Sequence, residues 1–121
     1  MPTALDHVRL AVPAGSEEAL RAYHGGALGM TETTKPPPLA VRGGCWFRSG
    51  DVRPHLGVDP GFRPARKAHP GPRVTGVETP AERLLAHGAQ VARDEDLPGC
   101  RRSFPQDPVG NRLLEFPERV R

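Results

Sequence analysis

Three histidines and one glutamate recur at comparable places in the two halves of this chain. His7 and His55 lie 48 residues apart in the first half, and His69 and Glu115 lie 46 residues apart in the second. Imidazole nitrogens combined with one carboxylate suit a divalent metal of borderline character. Because the two pairs are spaced alike, a duplicated half would bring both to one centre. These residue types predict a metal site with His7, His55, His69 and Glu115 as its ligands.

Each of these ligands also has a plainer interpretation. A single strand histidine such as His7 is more often a satisfied polar residue, and His69, beside Pro70, could lie in a surface loop. A buried lone carboxylate at Glu115 would tend to become neutral, whereas a bound cation would keep it ionised. His55 could be a fourth ligand or a proton-transfer group, because imidazole titrates near neutral pH. We predict catalytic roles for Glu115 and His55.

Two arginines and two aromatic residues are candidates for substrate binding. Arg9 and Arg73 share the strand parity of His7 and His69, respectively. A guanidinium can hold a carboxylate through two hydrogen bonds, so both could bind an anionic substrate. They could equally reach the rim and remain solvated. The other two candidates, for which core packing is the alternative, are Trp46 and Phe104.

The elements that must position these residues follow the same order in both halves. Each half reads as a strand, a helix and three strands, with the first strand over residues 5–12 alternating between polar and apolar positions. Ser16 is predicted to cap the first helix, and residues 35–38 to form an extended proline-rich linker. The remaining strands of this half are expected at residues 30–34, 45–48 and 52–58. His24, near the end of the first helix, is expected only to complement the helix dipole.

The second half has the clearest local signal of the chain. Thr79 and Glu82 flank Pro80 as a capping box with proline at the first helical position, and Gly88 is predicted to end the helix. His87, near that end, is expected only to complement the helix dipole. A weak strand is expected over residues 69–75, since two prolines interrupt it. The other strands are expected at residues 91–93, 101–106 and 111–116.

The amino-acid composition limits the classes of protein to which this chain can belong. The 121 residues suit one domain, although 14 Gly and 15 Pro indicate long loops. Of 17 basic residues 15 are Arg, scattered without a block of like charge, which disfavours nucleic-acid binding. The start of the chain lacks the pattern of a signal peptide, and no run is apolar enough to cross a membrane. Cys45 and Cys100 are expected to be buried free thiols, and the protein to be cytoplasmic.

The last predicted strand and the turn before it carry a family resemblance. The turn Asp107-Pro108-Val109-Gly110-Asn111, the run Leu113-Leu114-Glu115-Phe116, and His7 in the first strand together resemble the vicinal-oxygen-chelate superfamily. Its members include glyoxalase I, extradiol dioxygenases, fosfomycin-resistance enzymes and bleomycin-binding proteins. The resemblance spans residues 5–116. It implies an α+β fold of two βαβββ modules, at about residues 4–60 and 67–117, that form a half-open barrel in a single domain over residues 1–121.

The resemblance also implies chemistry. The family's ligands would fall on the first and last strands of each module, at His7, His55, His69 and Glu115. Glyoxalases usually have a glutamate where His55 stands, whereas two histidines and one glutamate would satisfy the extradiol dioxygenase pattern. We therefore expect a small metal-dependent enzyme that chelates adjacent oxygens of a small-molecule substrate to one divalent ion, which could be Fe, Ni, Co, Zn or Mn. Isomerase, lyase and ring-cleaving dioxygenase chemistry all remain open.

A second class of function is a metal-free protein that sequesters a drug, as bleomycin-resistance proteins do. The four ligand-type residues argue against it, as does the low aromatic content of one Trp, one Tyr and four Phe. A pseudoenzyme subunit is a third alternative. In all cases we expect a two-fold homodimer, because a half-open barrel leaves sheet edges to cover and two-fold dimers are the commonest assembly.

Overall fold

The computed structural model describes residues 1–74, 80–94, 96–98, 100–112 and 118–119. The chain divides into two compact units, Met1–Arg63 and Pro64–Arg121. No helix in the described ranges is both long and apolar enough to span a membrane.

The first unit is built around a four-stranded sheet. Its elements are β1 (Val8–Val12), α1 (Glu17–Leu20), a π-helical segment (Arg21–Ala27), β2 (Thr31–Thr33), α2 (Pro37–Ala40), β3 (Cys45–Arg48) and β4 (Pro54–Val58). The strands are ordered β1-β4-β3-β2, with β1 parallel to β4 and the other neighbours antiparallel. This is the predicted order of strand, helix and three strands, with one short helix inserted between β2 and β3.

One face of this sheet forms the core of the unit. Successive residues of a strand point to opposite faces, and in β1 Leu10 and Val12 are buried while Arg9 is exposed. Buried side chains on neighbouring strands and on the helical segments complete the core, namely Cys45, Phe47, Leu56, Leu20, Tyr23, His24 and Ala27. The predicted parity of the first strand is confirmed, and it leaves the opposite face for the polar residues.

A glycine fixes the entry into β3. Gly44 has a φ of +79°, and a Cβ at this position would lie 2.0 Å from the backbone oxygen of Leu56. Its N–H donates a hydrogen bond of 2.9 Å to Oε1 of Glu17, at the start of α1. Only glycine combines this backbone conformation with this close approach. The turn therefore ties the helix to the strand that carries Trp46.

Two local predictions for this unit were wrong. Residues 37–40 of the proline-rich segment form α2 rather than an extended linker, because proline is tolerated in the first turn of a helix. The Lys35 ammonium donates a hydrogen bond to the Gly43 carbonyl, across the ends of this segment. Ser16 precedes α1 as predicted, but its hydroxyl donates to the carbonyl of Pro13 at 2.7 Å and does not cap the helix.

The described residues of the second unit form one helix and a three-stranded sheet. Its elements are α3 (Pro80–Ala86), β5 (Val91–Asp94), β6 (Cys100–Pro105) and β7 (Glu118–Arg119), with the antiparallel strand order β5-β6-β7. The helix begins at the predicted proline, and Gly88 follows its end with a φ of +80°. Residues 69–74 form no strand, because Pro70 and Pro72 lack the N–H that a ladder needs. Thr79 of the capping box and residues 113–116 of the last predicted strand lie outside the described ranges.

The turn over residues 107–111 is held by buried polar side chains. Oδ1 of Asp107 accepts hydrogen bonds from the N–H groups of Val109, at 3.1 Å, and Asn111, at 2.8 Å. Oδ1 of Asn111 accepts one from the N–H of Ala65 at 2.7 Å. Asp107 and Asn111 are 5% and 1% exposed. The turn therefore anchors the beginning of the second unit.

Candidate functional site

The polar face of the four-stranded sheet brings several candidate residues side by side. The register pairs Arg9 with His55, His55 with Trp46, and Trp46 with Thr33. Since paired residues on adjacent strands point to the same face, these four side chains form one row across the sheet. Two residues from different predicted roles, His55 and Trp46, are thus direct neighbours.

Three aromatic rings are stacked along this face. The rings of Trp46 and His55 have centroids 4.0 Å apart and planes 4° apart. The rings of His55 and His7 have centroids 4.3 Å apart and planes 12° apart. We call the set of His7, His55 and Trp46 the ring stack. The sheet register therefore brings together two of the predicted ligands and one predicted substrate contact.

A neighbouring carboxylate orients the ring of His7. Nδ1 of His7 lies 2.9 Å from Oδ2 of Asp6. Because an ionised carboxylate only accepts hydrogen bonds, the proton belongs on Nδ1 and the ring lone pair on Nε2. The same contact with His7 is the main cause that lowers the pKa of Asp6. Asp6 thus favours the tautomer of His7 that can bind a metal through Nε2.

The ring of His55 lies between those of His7 and Trp46 and has fewer hydrogen bonds than that of His7. Nδ1 of His55 is buried and has no hydrogen-bond partner among the described residues. Burial is the main cause that lowers the pKa of His55, and electrostatic repulsion from the protonated form of His7 and from Arg9 adds to it. Both effects favour the neutral imidazole, which is the form that accepts a proton or binds a metal.

The histidine of the second unit is positioned by the backbone. Nδ1 of His69 donates a hydrogen bond of 2.8 Å to the carbonyl of Lys67, which assigns the ring lone pair to Nε2. Its ring meets that of Phe104 edge to face, with centroids 5.7 Å apart. The guanidinium groups of Arg102 and Arg112 lie 5.3 and 4.9 Å from the centre of the same Phe104 ring. Phe104 therefore already has cationic partners. Arg73, which was predicted to contact the substrate, is exposed.

These contacts bear on whether the histidines suit a metal. Ligating histidines commonly donate their other ring N–H to a carboxylate or a backbone carbonyl, and His7 and His69 each have one of these partners. The parallel rings of His7 and His55 do not direct their nitrogens at one point, so joint ligation requires one ring to turn. Within the described ranges, no three side chains of ligand type are grouped together, and Glu115 lies outside those ranges. The individual contacts fit a metal, with the full ligand set remaining a prediction.

A cavity of about 300 Å³ lies beside the ring stack. Arg48 and Arg53, which the sequence interpretation did not single out, contribute to its wall. Arg48 lies two positions after Trp46, and Arg53 lies two positions before His55. Strand alternation could therefore have placed both arginines on the same face as these rings. The complete lining is Asp6, Thr33, Thr34, Trp46, Phe47, Arg48, Arg53 and His55.

The expectation that His24 only complements the helix dipole was wrong, because burial keeps its imidazole uncharged at neutral pH. His24 is fully buried, it stacks against Phe47 with ring centroids 5.0 Å apart, and neither ring nitrogen has a partner among the described residues. Burial lowers its pKa to about 4. The signal was present, because Leu20, His24 and Ala27 have the spacing of one helical stripe.

Comparison with solved structures identifies the family. A putative glyoxalase family protein from Bacillus anthracis shares 38% sequence identity with this chain, with 98% of each chain covered and a TM-score of 0.89. The chain belongs to the glyoxalase family. Its solved neighbours also confirm the resemblance to the vicinal-oxygen-chelate superfamily and the α+β glyoxalase/bleomycin-resistance fold.

More distant members of this superfamily show the fold alone. The lactoylglutathione lyase from Agrobacterium tumefaciens is 19% identical, with 97% of this chain and 94% of that chain covered and a TM-score of 0.71. The fosfomycin resistance protein FosX from Listeria monocytogenes is 16% identical, with 97% and 93% covered and a TM-score of 0.74. No family model and no curated protein matches the sequence.

Proposed function

We propose that this glyoxalase-family protein is a small metal-dependent enzyme. His7, His69 and Glu115 would hold one divalent ion, and His55 would be a fourth ligand or a proton-transfer group. The observation that carries the proposal is the oriented imidazole of His7, whose Nδ1–H donates to Asp6. The matching bond from His69 to the Lys67 carbonyl supports it. Fe, Ni, Co, Zn and Mn are all compatible with this set of nitrogen and oxygen donors.

The ion would chelate two adjacent oxygens of the substrate and stabilise the negative charge that develops on them. The chain's own residues would prepare this step. Asp6 keeps the proton on Nδ1 of His7, so that Nε2 is directed away from it. His55, whose buried Nδ1 lacks a partner within the described part of the chain, can receive a proton there. Trp46 packs flat on His55 and excludes water from that side of the ring.

Several reaction classes are compatible with the ligand set that this site would provide. Proton transfer at a carbon beside chelated oxygens would give isomerase or lyase chemistry, and open positions on Fe(II) would suit a ring-cleaving dioxygenase. The proteins of similar structure include a lactoylglutathione lyase and a fosfomycin resistance protein. We propose lyase or isomerase chemistry first, in a cytoplasmic two-fold homodimer.

A second candidate is a metal-free protein that sequesters a small molecule. The observation that favours it is the flat indole of Trp46 beside a cavity of about 300 Å³, because stacking alone can hold a planar ligand. It differs from the first candidate in requiring no histidine ligand.

Metal content separates the two candidates. Protein produced without a histidine tag would be stripped with chelator, incubated in turn with Mn²⁺, Co²⁺, Ni²⁺ and Zn²⁺, desalted and analysed for bound metal. We expect about one ion per chain for at least one metal, and a loss of at least about tenfold in affinity in His7→Ala. His87→Ala is the matched control, because His87 is exposed directly after α3 and its Nδ1 donates to the Arg83 carbonyl. A folded protein that retains no metal would contradict the enzyme proposal.

A further inference from the structure

The polar face of the four-stranded sheet carries a concentration of positive charge. Arg9 is paired with His55, and Arg48 is paired with Thr31 two residues after Trp46. Arg53 precedes His55 by two residues and joins the cavity wall with it. Strand alternation therefore places three guanidinium groups on the face that holds the ring stack.

Little negative charge balances these cations. Asp6 is the acidic residue of the cavity wall, and it already accepts a hydrogen bond from His7 while lying 3.8 Å from Arg53. Glu32 of β2 belongs to the other face, where it pairs with Arg21 at 2.9 Å. Arg48 forms no ion pair with the residues that the structure describes. The wall thus has an unbalanced cation beside an aromatic ring.

The indole of Trp46 lines this cavity between residues of β4 and β2. His55 covers one face of Trp46, and Thr33 is paired with Trp46 from the other side of β3. Thr33 and Thr34 line the cavity together with Trp46 and His55, so the cavity extends past the indole as far as β2. Lys35 lies 6.0 Å from the indole centroid, but its ammonium is bonded to the Gly43 carbonyl. A flat ligand could continue the ring stack at this position.

We propose that this cavity binds a planar carboxylate, with its ring on the outer face of Trp46 and its carboxylate held by Arg48 and Arg53. The inference deepens the proposed function by naming the substrate class, and it rests on that function for taking this face as the substrate side. Guanidinium groups bind carboxylates through paired hydrogen bonds, and the hydroxyl groups of Thr33 and Thr34 add donors to the same wall. The indole supplies the contact that selects a flat ring over a saturated one.

The single tryptophan provides the readout. Because Trp46 is the one Trp of the chain, its emission reports on this cavity without interference from other indoles. Metal-free protein would be titrated with benzoate, with the neutral amide benzamide and with the non-planar anion cyclohexanecarboxylate. We expect a saturable change with benzoate, an affinity about tenfold lower for benzamide and about threefold lower for cyclohexanecarboxylate. No saturable change, or equal affinities for the three compounds, would overturn the proposal.

Charge-neutral variants locate the anion. Arg48→Gln and Arg53→Gln should each weaken benzoate binding about tenfold, as expected for loss of a charge-assisted hydrogen bond. Arg42→Gln is the control, because Arg42 is exposed in the same unit and does not line the cavity. If the Arg42 variant were weakened as much as the other two, the effect would be one of general charge and the proposed pairing would be wrong.

The result can be told apart from a failure of the proposed function. The titrations use metal-free protein, so they do not depend on the ligation of any ion. Selective benzoate binding by a protein that retains no metal would remove the enzyme proposal and leave the ligand class standing. Metal retention without selective benzoate binding would leave the enzyme proposal standing and remove the proposed ligand class.

Discussion

The two units of this chain hold their histidines in different ways. In the first unit, neighbouring strands set the ring stack, and the buried Nδ1 of His55 has no partner among the described residues. In the second, a backbone carbonyl two residues away fixes His69 in an irregular segment. The difference shows that sheet register positions the site residues of the first unit, whereas local loop geometry positions that of the second.

The two units also differ in their buried titratable groups. The first unit buries His24 among apolar and aromatic side chains, and burial lowers its pKa to about 4. The second buries Asp107 in a hydrogen-bonded turn, and burial raises its pKa to about 6 despite the bonds to Oδ1. Each group is therefore kept neutral by burial over part of the acidic range, but with opposite consequences for stability.

The largest expected effect is on the turn that leads into β3. Gly44→Ala should lower the free energy of unfolding by about 4 kcal/mol or more, because a positive φ and a collision with the Leu56 carbonyl must both be relieved. Urea unfolding followed by Trp46 emission measures it in the first unit. Gly26→Ala is the control, since a Cβ there meets nothing within 4 Å and φ is not positive. Equal midpoints for the two variants would show that the turn does not constrain the strand.

His24 should make the first unit sensitive to acid. Its pKa is about 6.5 in the unfolded chain and about 4 when folded, so between these values the unfolded state binds the proton more tightly. Stability from this group is therefore complete above pH 6.5 and falls by roughly 3 kcal/mol as the pH drops to 4. His24→Leu should remove this slope from urea unfolding curves at successive pH values. His87→Leu, at an exposed position, should retain it; the same slope in both variants would contradict the assignment.

Asp107 should make the stability of the second unit depend on pH in the opposite direction. Its pKa rises from 3.8 in the unfolded chain to about 6 in the folded one, so its contribution is fullest below pH 3.8 and falls by up to roughly 3 kcal/mol as the pH rises to 6. Asp107→Asn keeps the acceptor Oδ1 and removes the buried charge. Circular dichroism should show the variant equal to the parent at pH 4 and more stable at pH 7. A variant less stable at pH 7 would indicate a cation beside Oδ2 that compensates the charge.

The sequence predicted the parts of the fold that depend on local pattern. The parity of β1 separated Leu10 and Val12 from Arg9, and Pro80 marked the start of α3. The ring stack could not be predicted in this way, since the pairing of His55 with Trp46 depends on strand register between distant segments. The burial of His24 was not predicted, although its helical spacing from Leu20 indicates it. The strand expected over residues 69–75 is absent from residues 69–74, because Pro70 and Pro72 lack the N–H groups that strand pairing needs.

A double-mutant cycle on metal binding tests most directly the central proposal, that His7 and His69 would ligate one ion. Calorimetric titration with Co²⁺ would compare the unchanged protein, His7→Ala, His69→Ala and the double variant. The account predicts a loss of at least about tenfold in each single variant, and a double variant clearly less impaired than the product of the two losses. Independent losses that multiply, or Co²⁺ binding in His69→Ala as tight as in the unchanged protein, would contradict it.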